Sequence, residues 1–298
     1  MNKRKRLSIV SKLWKNAKGV EENSKDYYVN LRDKFDDMIT SFLRKRKAAD
    51  YISNYELRKL KNLAEDAMTL GIKNNDIALQ RKAANLLKRV KVKKEENLLF
   101  EVEYDVAKFT SETNDEIKKM LYDTVTDAYL QGVYLIKDSR PRGYEIRSSA
   151  IKDAQRVKLI DSDTTGAKPE QFLQDRKQTY YRQIQKDMVR TLRTHRNPRK
   201  ATESLHKFTN RQSGYTQTLI RNLMSEAINY GLLTSYSDNE VERYIFYAIL
   251  DAVTTAVCES MDSTVHYVED AVVGENLPPL EPPVHPCRSF IAPFYGEY

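Results

Sequence analysis

Apolar side chains recur every three or four residues along the first 135 residues of the chain, which is the period of an amphipathic helix. The segment from Asp26 to Leu43 is the clearest example. Its apolar face consists of Tyr27, Leu31, Phe35, Met38, Ile39 and Phe42. Strand-like alternation is hard to find in this half, so we expect it to be helical throughout.

The same period predicts three further helices before residue 135. They are the runs Tyr55 to Leu70, Asp76 to Val90 and Asn114 to Leu130. Asn54, Asn75 and Thr113 precede these runs and are predicted as N-caps, because their side-chain oxygens can accept hydrogen bonds from the first free backbone N–H groups. Gly71 and Gly132 are predicted to end the first and the last of these helices.

The pattern changes in the second half of the chain. Helical periodicity continues after Pro169 and again from Gln217 to Leu233, but residues 242–250 are β-branched and aromatic and predict a strand. Residues 264–268 predict a weaker one. Breaks at 137–143 and 161–169 lead us to divide the chain into a helical region, 1–165, and a second domain, 166–298. The predicted class is mainly α with a small α+β C-terminal domain, which contains a short antiparallel sheet and a Pro-rich extended segment.

Charge narrows the range of partners. The chain has 298 residues, with 50 lysine and arginine against 42 aspartate and glutamate residues, and a net charge of +8. Such a field attracts polyanions without selecting among them, with nucleic acid the first candidate and anionic lipid the second. No apolar run approaches the roughly 20 residues of a membrane span, and the start lacks a signal-peptide core. We therefore expect a cytoplasmic protein with no membrane partner.

The strongest candidate for a nucleic-acid contact is a cationic stripe in the helix after Pro169. Its seven residues are Arg182, Lys186, Arg190, Arg193, Arg196, Arg199 and Lys200. The first four lie on one helical face and could follow a phosphate backbone, or they could form an ordinary solvated surface. A second cluster, from Lys88 to Lys94, has two interpretations: a DNA contact, or cations that complement a helix dipole.

The C-terminal region contains the residue types of a metal or catalytic site. Extended, Pro-stiffened chain could bring Cys258, His285 and Cys287 together, and two thiolates with an imidazole suit zinc. The paired Cys-x-x-Cys of a strong zinc motif is missing, so a buried thiol pair remains the alternative. A Cys258–His285 nucleophile pair would need a group to orient the base, and the sequence offers none. Phosphate-binding loops, nucleophile elbows and His-Glu-x-x-His motifs are also absent.

An ordered string of residues near the C-terminus is specific enough to suggest a family. It consists of Asp251, Thr254, Cys258, Asp262, Tyr267, Gly274, Pro282, Pro283, His285, Cys287 and Arg288. In order and spacing the string resembles the Mu F-like C-terminal domain of phage head morphogenesis proteins, and the resemblance extends over residues 175–298. The chain departs from the family pattern at Thr255, which replaces a cysteine, at Ser263, which replaces a glycine, and in a His285–Cys287 spacing that is one residue shorter.

The resemblance implies a minor capsid protein of a tailed bacteriophage rather than an enzyme. Such a protein would lie inside the procapsid and virion near the portal, with portal, capsid and scaffold proteins as partners and double-stranded DNA as a further one. The helical region 1–165 would dock on portal or capsid, and no cofactor would be needed unless zinc is bound. A stand-alone DNA-binding protein and a Cys/His hydrolase are the alternatives.

Overall fold

A computed structural model describes residues 3–44, 51–140, 145–146, 169–194, 198–280 and 287–296. Eight helices and three strands follow one another in these ranges. They are α1 (Lys3–Leu13), α2 (Lys15–Arg44), α3 (Asn54–Lys73), α4 (Ile77–Leu87), α5 (Lys94–Ser139), α6 (Pro169–Thr194), α7 (Pro198–Asp238), β1 (Arg243–Tyr247), α8 (Ala256–Met261), β2 (Val265–Tyr267) and β3 (Phe290–Phe294). The predicted class, mainly α with a small C-terminal α+β part, is confirmed.

The observed N-caps of α3 and α4 each lie one residue away from the predicted caps. Ser53, not Asn54, caps α3: its Oγ accepts from the Glu56 N–H, and the Glu56 carboxylate accepts in turn from the Ser53 N–H at 2.8 Å. Asp76, not Asn75, caps α4, and Asn75 has a φ of +52°. The predicted stop at Gly71 is wrong, because α3 continues to Lys73.

A single longer helix, α5, contains the predicted helix from Asn114 to Leu130. It runs from Lys94 to Ser139, so Thr113 is not its N-cap and Gly132 is not its end. A Cβ at Gly132 would lie 1.9 Å from Ser235 Oγ on α7. The glycine therefore permits close helix packing, as Gly71 does where a Cβ would lie 2.8 Å from Gln80 Cγ on α4.

The strands form one antiparallel sheet in the order β2-β1-β3. Tyr244 of β1 faces His266 of β2, and Ile245 faces Ala292 of β3. The predicted first strand is confirmed but shorter, and the second is confirmed as β2. The strand β3 was not predicted, although four of its five residues are buried.

By internal packing the chain forms two compact units. The sheet unit comprises Met1–Ser24, Asp115–Phe172 and Tyr215–Tyr298, and the helical unit comprises Lys25–Asn114 and Leu173–Gly214. These units differ from the two consecutive regions that we predict, 1–165 and 166–298, because α2, α5, α6 and α7 are long enough to contribute residues to both units. The predicted boundary itself lies outside the described residues.

The helical unit has an aromatic core. Tyr28 and Phe35 of α2, Phe109 of α5 and Tyr180 of α6 are buried in one cluster, and the Tyr27 ring stacks on Phe109. Phe35 belongs to the apolar face predicted for residues 26–43, whereas Phe109 lies outside every predicted helix, so the sequence indicates only part of this packing. Within the described residues, no helix is long and apolar enough to cross a membrane.

Candidate functional site

The candidate site is the segment that follows β1, which begins with a turn built on Asp251. The Val253 N–H donates to Asp251 Oδ1 at 3.1 Å, and the Asp251 N–H donates to Thr254 Oγ1 at 2.8 Å. Thr254 also donates to the Ile249 carbonyl. This is an Asx-type turn, which an aspartate favours because its side chain can accept from the backbone N–H two residues later.

A short helix, α8, follows this turn and places Cys258 in the interior. Thr255 is its N-cap, with Oγ1 accepting from the Cys258 N–H at 3.3 Å. Thr255 stands where the family pattern has a cysteine. Here the residue caps a helix, which a hydroxyl oxygen does better than a thiol because sulfur is a weak acceptor.

The end of α8 is tied back to β1 through Asp262. Its Oδ1 accepts from the Ala248 N–H at 2.8 Å, and the N–H of the next residue, Ser263, donates to the Phe246 carbonyl at 2.8 Å. Ser263 has a φ of +68°, in the left-handed region that glycine adopts without a Cβ clash. The glycine of the family pattern therefore corresponds to a position where this backbone requires a positive φ.

Arg288, the last residue of the motif, forms an ion pair with Asp251, the first. The Arg288 guanidinium, together with the Val253 N–H, holds the pKa of Asp251 below its usual range. Both side chains are about one-third exposed, at 36% for Arg288 and 38% for Asp251, so water competes for them. The pair joins the chain before α8 to the chain that enters β3.

The two cysteines are neighbours in the interior. Cys258 Sγ and Cys287 Sγ are 3.7 Å apart, and both residues pack among Phe246, Ala248 and Leu280. The hydrogen bond with Cys258 and burial raise the pKa of Cys287 well above its usual range. A protonated thiol is a poor nucleophile and a poor metal ligand, since the thiolate is the reactive form in both roles. The geometry agrees with the buried thiol pair considered from the sequence.

A third zinc ligand is not available in the described part of the chain. No group of three or more His, Cys, Asp or Glu residues lies close enough to hold a metal ion within those ranges. His285, with Pro282 and Pro283, lies outside the described residues. The zinc site therefore stays a prediction.

Helix α7 positions β3 through polar side chains that the sequence pattern does not single out. The Ile291 N–H donates to Asn229 Oδ1 at 3.1 Å, and Asn229 Nδ2 donates to the Ser289 carbonyl at 3.1 Å. Asn222 accepts from the Cys287 N–H, and the Tyr236 hydroxyl donates to the Ile291 carbonyl. These three α7 side chains are spaced by seven residues and are fully buried. Asn229 and Tyr236 therefore provide hydrogen-bond partners for the backbone of Ile291, on the edge of β3 that does not pair with β1. Asn222 does the same for Cys287, in the chain that enters β3.

Helix α7 also contacts α2, through Arg221. The Arg221 guanidinium donates to both carboxylate oxygens of Glu21 on α2, at 2.9 to 3.1 Å. This bond with Glu21 raises the pKa of Arg221. Arg221 is therefore occupied by a bidentate ion pair within the sheet unit.

The predicted cationic stripe is only partly visible. Arg182 and Lys186 are both exposed on α6. Arg190 and Arg193 belong to α6, and Arg199 and Lys200 to α7, but their side chains, like all of Arg196, lie outside the described residues. The stripe as a DNA-binding surface stays a prediction.

Comparisons with known proteins do not identify a family. No protein-family model matches the chain, and neither a curated protein nor a solved structure matches it.

Proposed function

We propose that this protein is a minor head (head morphogenesis) protein of a tailed bacteriophage. It acts by binding inside the procapsid near the portal, and it belongs to the virion after assembly in the host cytoplasm. The support comes from the motif residues. Asp251, Thr254, Cys258, Asp262 and Arg288 all take part in one closure around the end of β1, and the two positions that depart from the family pattern, Thr255 and Ser263, have clear local roles there.

A binding role suits the chemistry of this closure better than catalysis. The oxygens of Asp251, Thr254 and Asp262 accept hydrogen bonds from backbone N–H groups, and Arg288 is paired with Asp251. Cys258, the nucleophile of the Cys/His hydrolase alternative, has its sulfur 3.7 Å from Cys287 Sγ in an apolar cluster, which favours a buried thiol pair over an activated thiolate.

The proposed partners are the portal protein, with the capsid and scaffold proteins around it. The helical region 1–165 docks on portal or capsid, and the cationic face from Arg182 to Lys200 contacts packaged double-stranded DNA. The net charge of +8 supports the DNA contact, since phosphate neutralisation supplies sequence-independent affinity.

Assembly of procapsids tests this proposal directly. The full chain would be coexpressed with the portal, scaffold and major capsid proteins encoded beside its gene, and the particles would be purified by sedimentation. We expect a few copies per particle when portal is present and none when portal is omitted. Equal incorporation with and without portal, no incorporation, or the lack of such neighbouring genes would reject the proposal.

The second candidate, a stand-alone DNA-binding protein of the host cell, rests on the same positive charge. It predicts salt-dependent binding to duplex DNA together with no association with procapsids. Incorporation that depends on portal would exclude it as the main function.

A further inference from the structure

The connection between α4 and α5 pairs with the chain before α3. The Ile52 N–H donates to the Val92 carbonyl at 3.0 Å, and Tyr51 faces Lys93 in an antiparallel bridge. Val92 is buried in a core cluster against which Ile52 packs. Because successive side chains of extended backbone point to opposite sides, Tyr51 and Lys93 point outwards together.

The exposed side of this connection carries cations. Lys88, Lys91 and Lys93 are exposed, and none of them forms an ion pair with another described residue. Arg89 pairs with Glu96, and the other nearby acid, Glu56, is held by the cap of α3. Lys88 is the C-cap of α4 and complements its dipole, but Lys91 and Lys93 lie beyond the last turn, where the dipole has little effect.

Two exposed tyrosines accompany these cations. Tyr51 is 48% exposed and Tyr55 is 67% exposed. Lys59 Nζ lies 4.7 Å from the centroid of the Tyr55 ring. We call Tyr51, Tyr55, Lys59, Lys88, Lys91 and Lys93 the tyrosine–lysine surface.

A cleft of about 400 Å³ opens in the helical unit beside this surface. Leu86, Leu99, Phe100 and Tyr181 form its apolar wall, and Lys93 and Arg89 belong to both the connection and the cleft. Of the acids in the lining, Glu96 pairs with Arg89 and Glu103 with Lys82, which leaves Glu95 without an ion pair among the described residues. A cleft of this size, with an apolar wall and charged rim, suits a flat aromatic ligand group.

We propose that the tyrosine–lysine surface binds single-stranded nucleic acid. The lysines contact phosphates, Tyr51 and Tyr55 stack on unpaired bases, and the cleft takes a base that is turned out of the strand. Exposed aromatic rings beside cations are the features by which proteins bind single strands without sequence preference. A duplex would leave both tyrosines unused, because its base faces are covered by stacking. The inference does not depend on a role in phage heads, and its lysines are not residues of the cationic stripe that begins at Arg182.

Fluorescence anisotropy with a labelled oligothymidylate, and with a duplex of equal length, tests the proposal. The full-length protein is expected to bind the single strand more tightly than the duplex, with an affinity that falls as salt increases. The triple variant K88A/K91A/K93A should reduce the slope of log affinity against log salt by about 2, since each lost phosphate contact contributes roughly 0.7. The matched control K12A/K119A/K137A removes three exposed lysines of the sheet unit and should leave binding nearly unchanged.

The tyrosines separate a stacking surface from a merely cationic one. Y51A/Y55A should weaken single-strand binding about tenfold or more with an unchanged salt slope, whereas Y51F/Y55F should retain it, because stacking needs the ring and not the hydroxyl. Circular dichroism would confirm that each variant is folded. The proposal is overturned if wild type does not bind, if it prefers the duplex, if Y51A/Y55A binds like wild type, or if the two lysine triples lose affinity equally.

Discussion

In the helical unit, aromatic and aliphatic side chains from three helices meet in one cluster, whereas in the sheet unit polar side chains of α7 bind the backbone of β3. Tyr28, Phe35 and Phe109 exemplify the first arrangement and Asn222 and Asn229 the second. Apolar contacts tolerate small adjustments of position. A buried amide that loses its partner leaves an unsatisfied group in a medium of low dielectric constant, so the second arrangement is more specific and more easily broken.

Asn229→Leu is expected to lower the free energy of unfolding most, because it removes the side-chain hydrogen bonds that join α7 to β3 and the chain before it. The Ile291 N–H and the Ser289 carbonyl would lose their side-chain partner in a buried position. Two such groups together cost about 4 kcal/mol of unfolding free energy. Urea denaturation measures this loss. The control is Asn210→Leu at an exposed site of the same helix, which should change stability by less than about 0.5 kcal/mol.

The helical unit also contains a largely buried polar contact, between Lys177 of α6 and the α4 cap Asp76. Their side chains are 8% and 12% exposed, with a 2.5 Å bond. Lys177→Met should cost about 3 kcal/mol, because it leaves a buried carboxylate without its cation. Lys186→Met, an exposed position on the same helix, is the control. Equal effects of the two variants would show that the ion pair between Lys177 and Asp76 does not stabilise the protein.

Asp76 also gives this contact a pH dependence. Burial alone would raise the pKa of Asp76, but the bonds from Lys177 and from the Leu79 N–H outweigh it and lower the pKa below its ordinary value. The contact should therefore stabilise the protein above the ordinary carboxyl pKa of about 4 and lose this effect as pH falls through the lower folded value. The difference between wild type and Lys177→Met should shrink in the same acid range.

Ser263→Gly, in the closure after α8, is expected to increase the free energy of unfolding slightly, whereas the two substitutions above decrease it. Glycine relieves the positive φ at a modest entropic cost, which gives a net stabilisation of about 0.5 kcal/mol. Ser260→Gly, inside α8, should destabilise instead, because glycine is a poor helix former. Thermal unfolding of both variants measures the difference, and a loss of stability in Ser263→Gly would mean that the serine side chain contributes more than its backbone costs.

Arg288→Gln is expected to change the free energy of unfolding least, because the ion pair between Arg288 and Asp251 is partly exposed to water. The pKa of Asp251 is lowered in the folded protein, so the contribution of the pair is present at neutral pH and disappears in acid. Arg288→Gln should match wild type at low pH and differ from it slightly at neutral pH. A difference that persists unchanged into acid would place the role of Arg288 outside this ion pair.

Periodicity predicted the helical part of the fold because its packing repeats along the chain. The face of Leu31 and Phe35 is an example, and the strand at 243–247 was equally visible from its β-branched and aromatic run. The role of Gly132 could not be predicted, since the close neighbour that requires a glycine is Ser235, more than a hundred residues away. Local sequence cannot distinguish a glycine that ends a helix from one that admits another helix.

In the motif between Asp251 and Arg288, the sequence indicates the turn at Asp251 but not the contacts with distant parts of the chain. Asp251 and Thr254 form a local hydrogen-bonded unit, which spacing alone indicates. The partners of Cys287 and Ile291 are asparagines of α7, and a single sequence does not pair residues across such separations. Asn222 and Asn229 recur seven residues apart among apolar neighbours, and this is the signal that could have identified them. Asparagines more often lie on the exposed face of a helix than on its apolar face.

We propose that the closure formed by Asp251, Cys258, Asp262 and Arg288 is structural and that its two thiols are not a reactive centre. Thiol titration with a chromogenic disulfide reagent, in the presence of a metal chelator, tests this directly because the chain has only 2 cysteines. We expect Cys258 and Cys287 to react slowly in the native protein and completely after unfolding in denaturant. Rapid reaction of one thiol in the folded protein, with an apparent pKa below the ordinary value of about 8.5, would contradict the account and revive a catalytic or metal-binding centre.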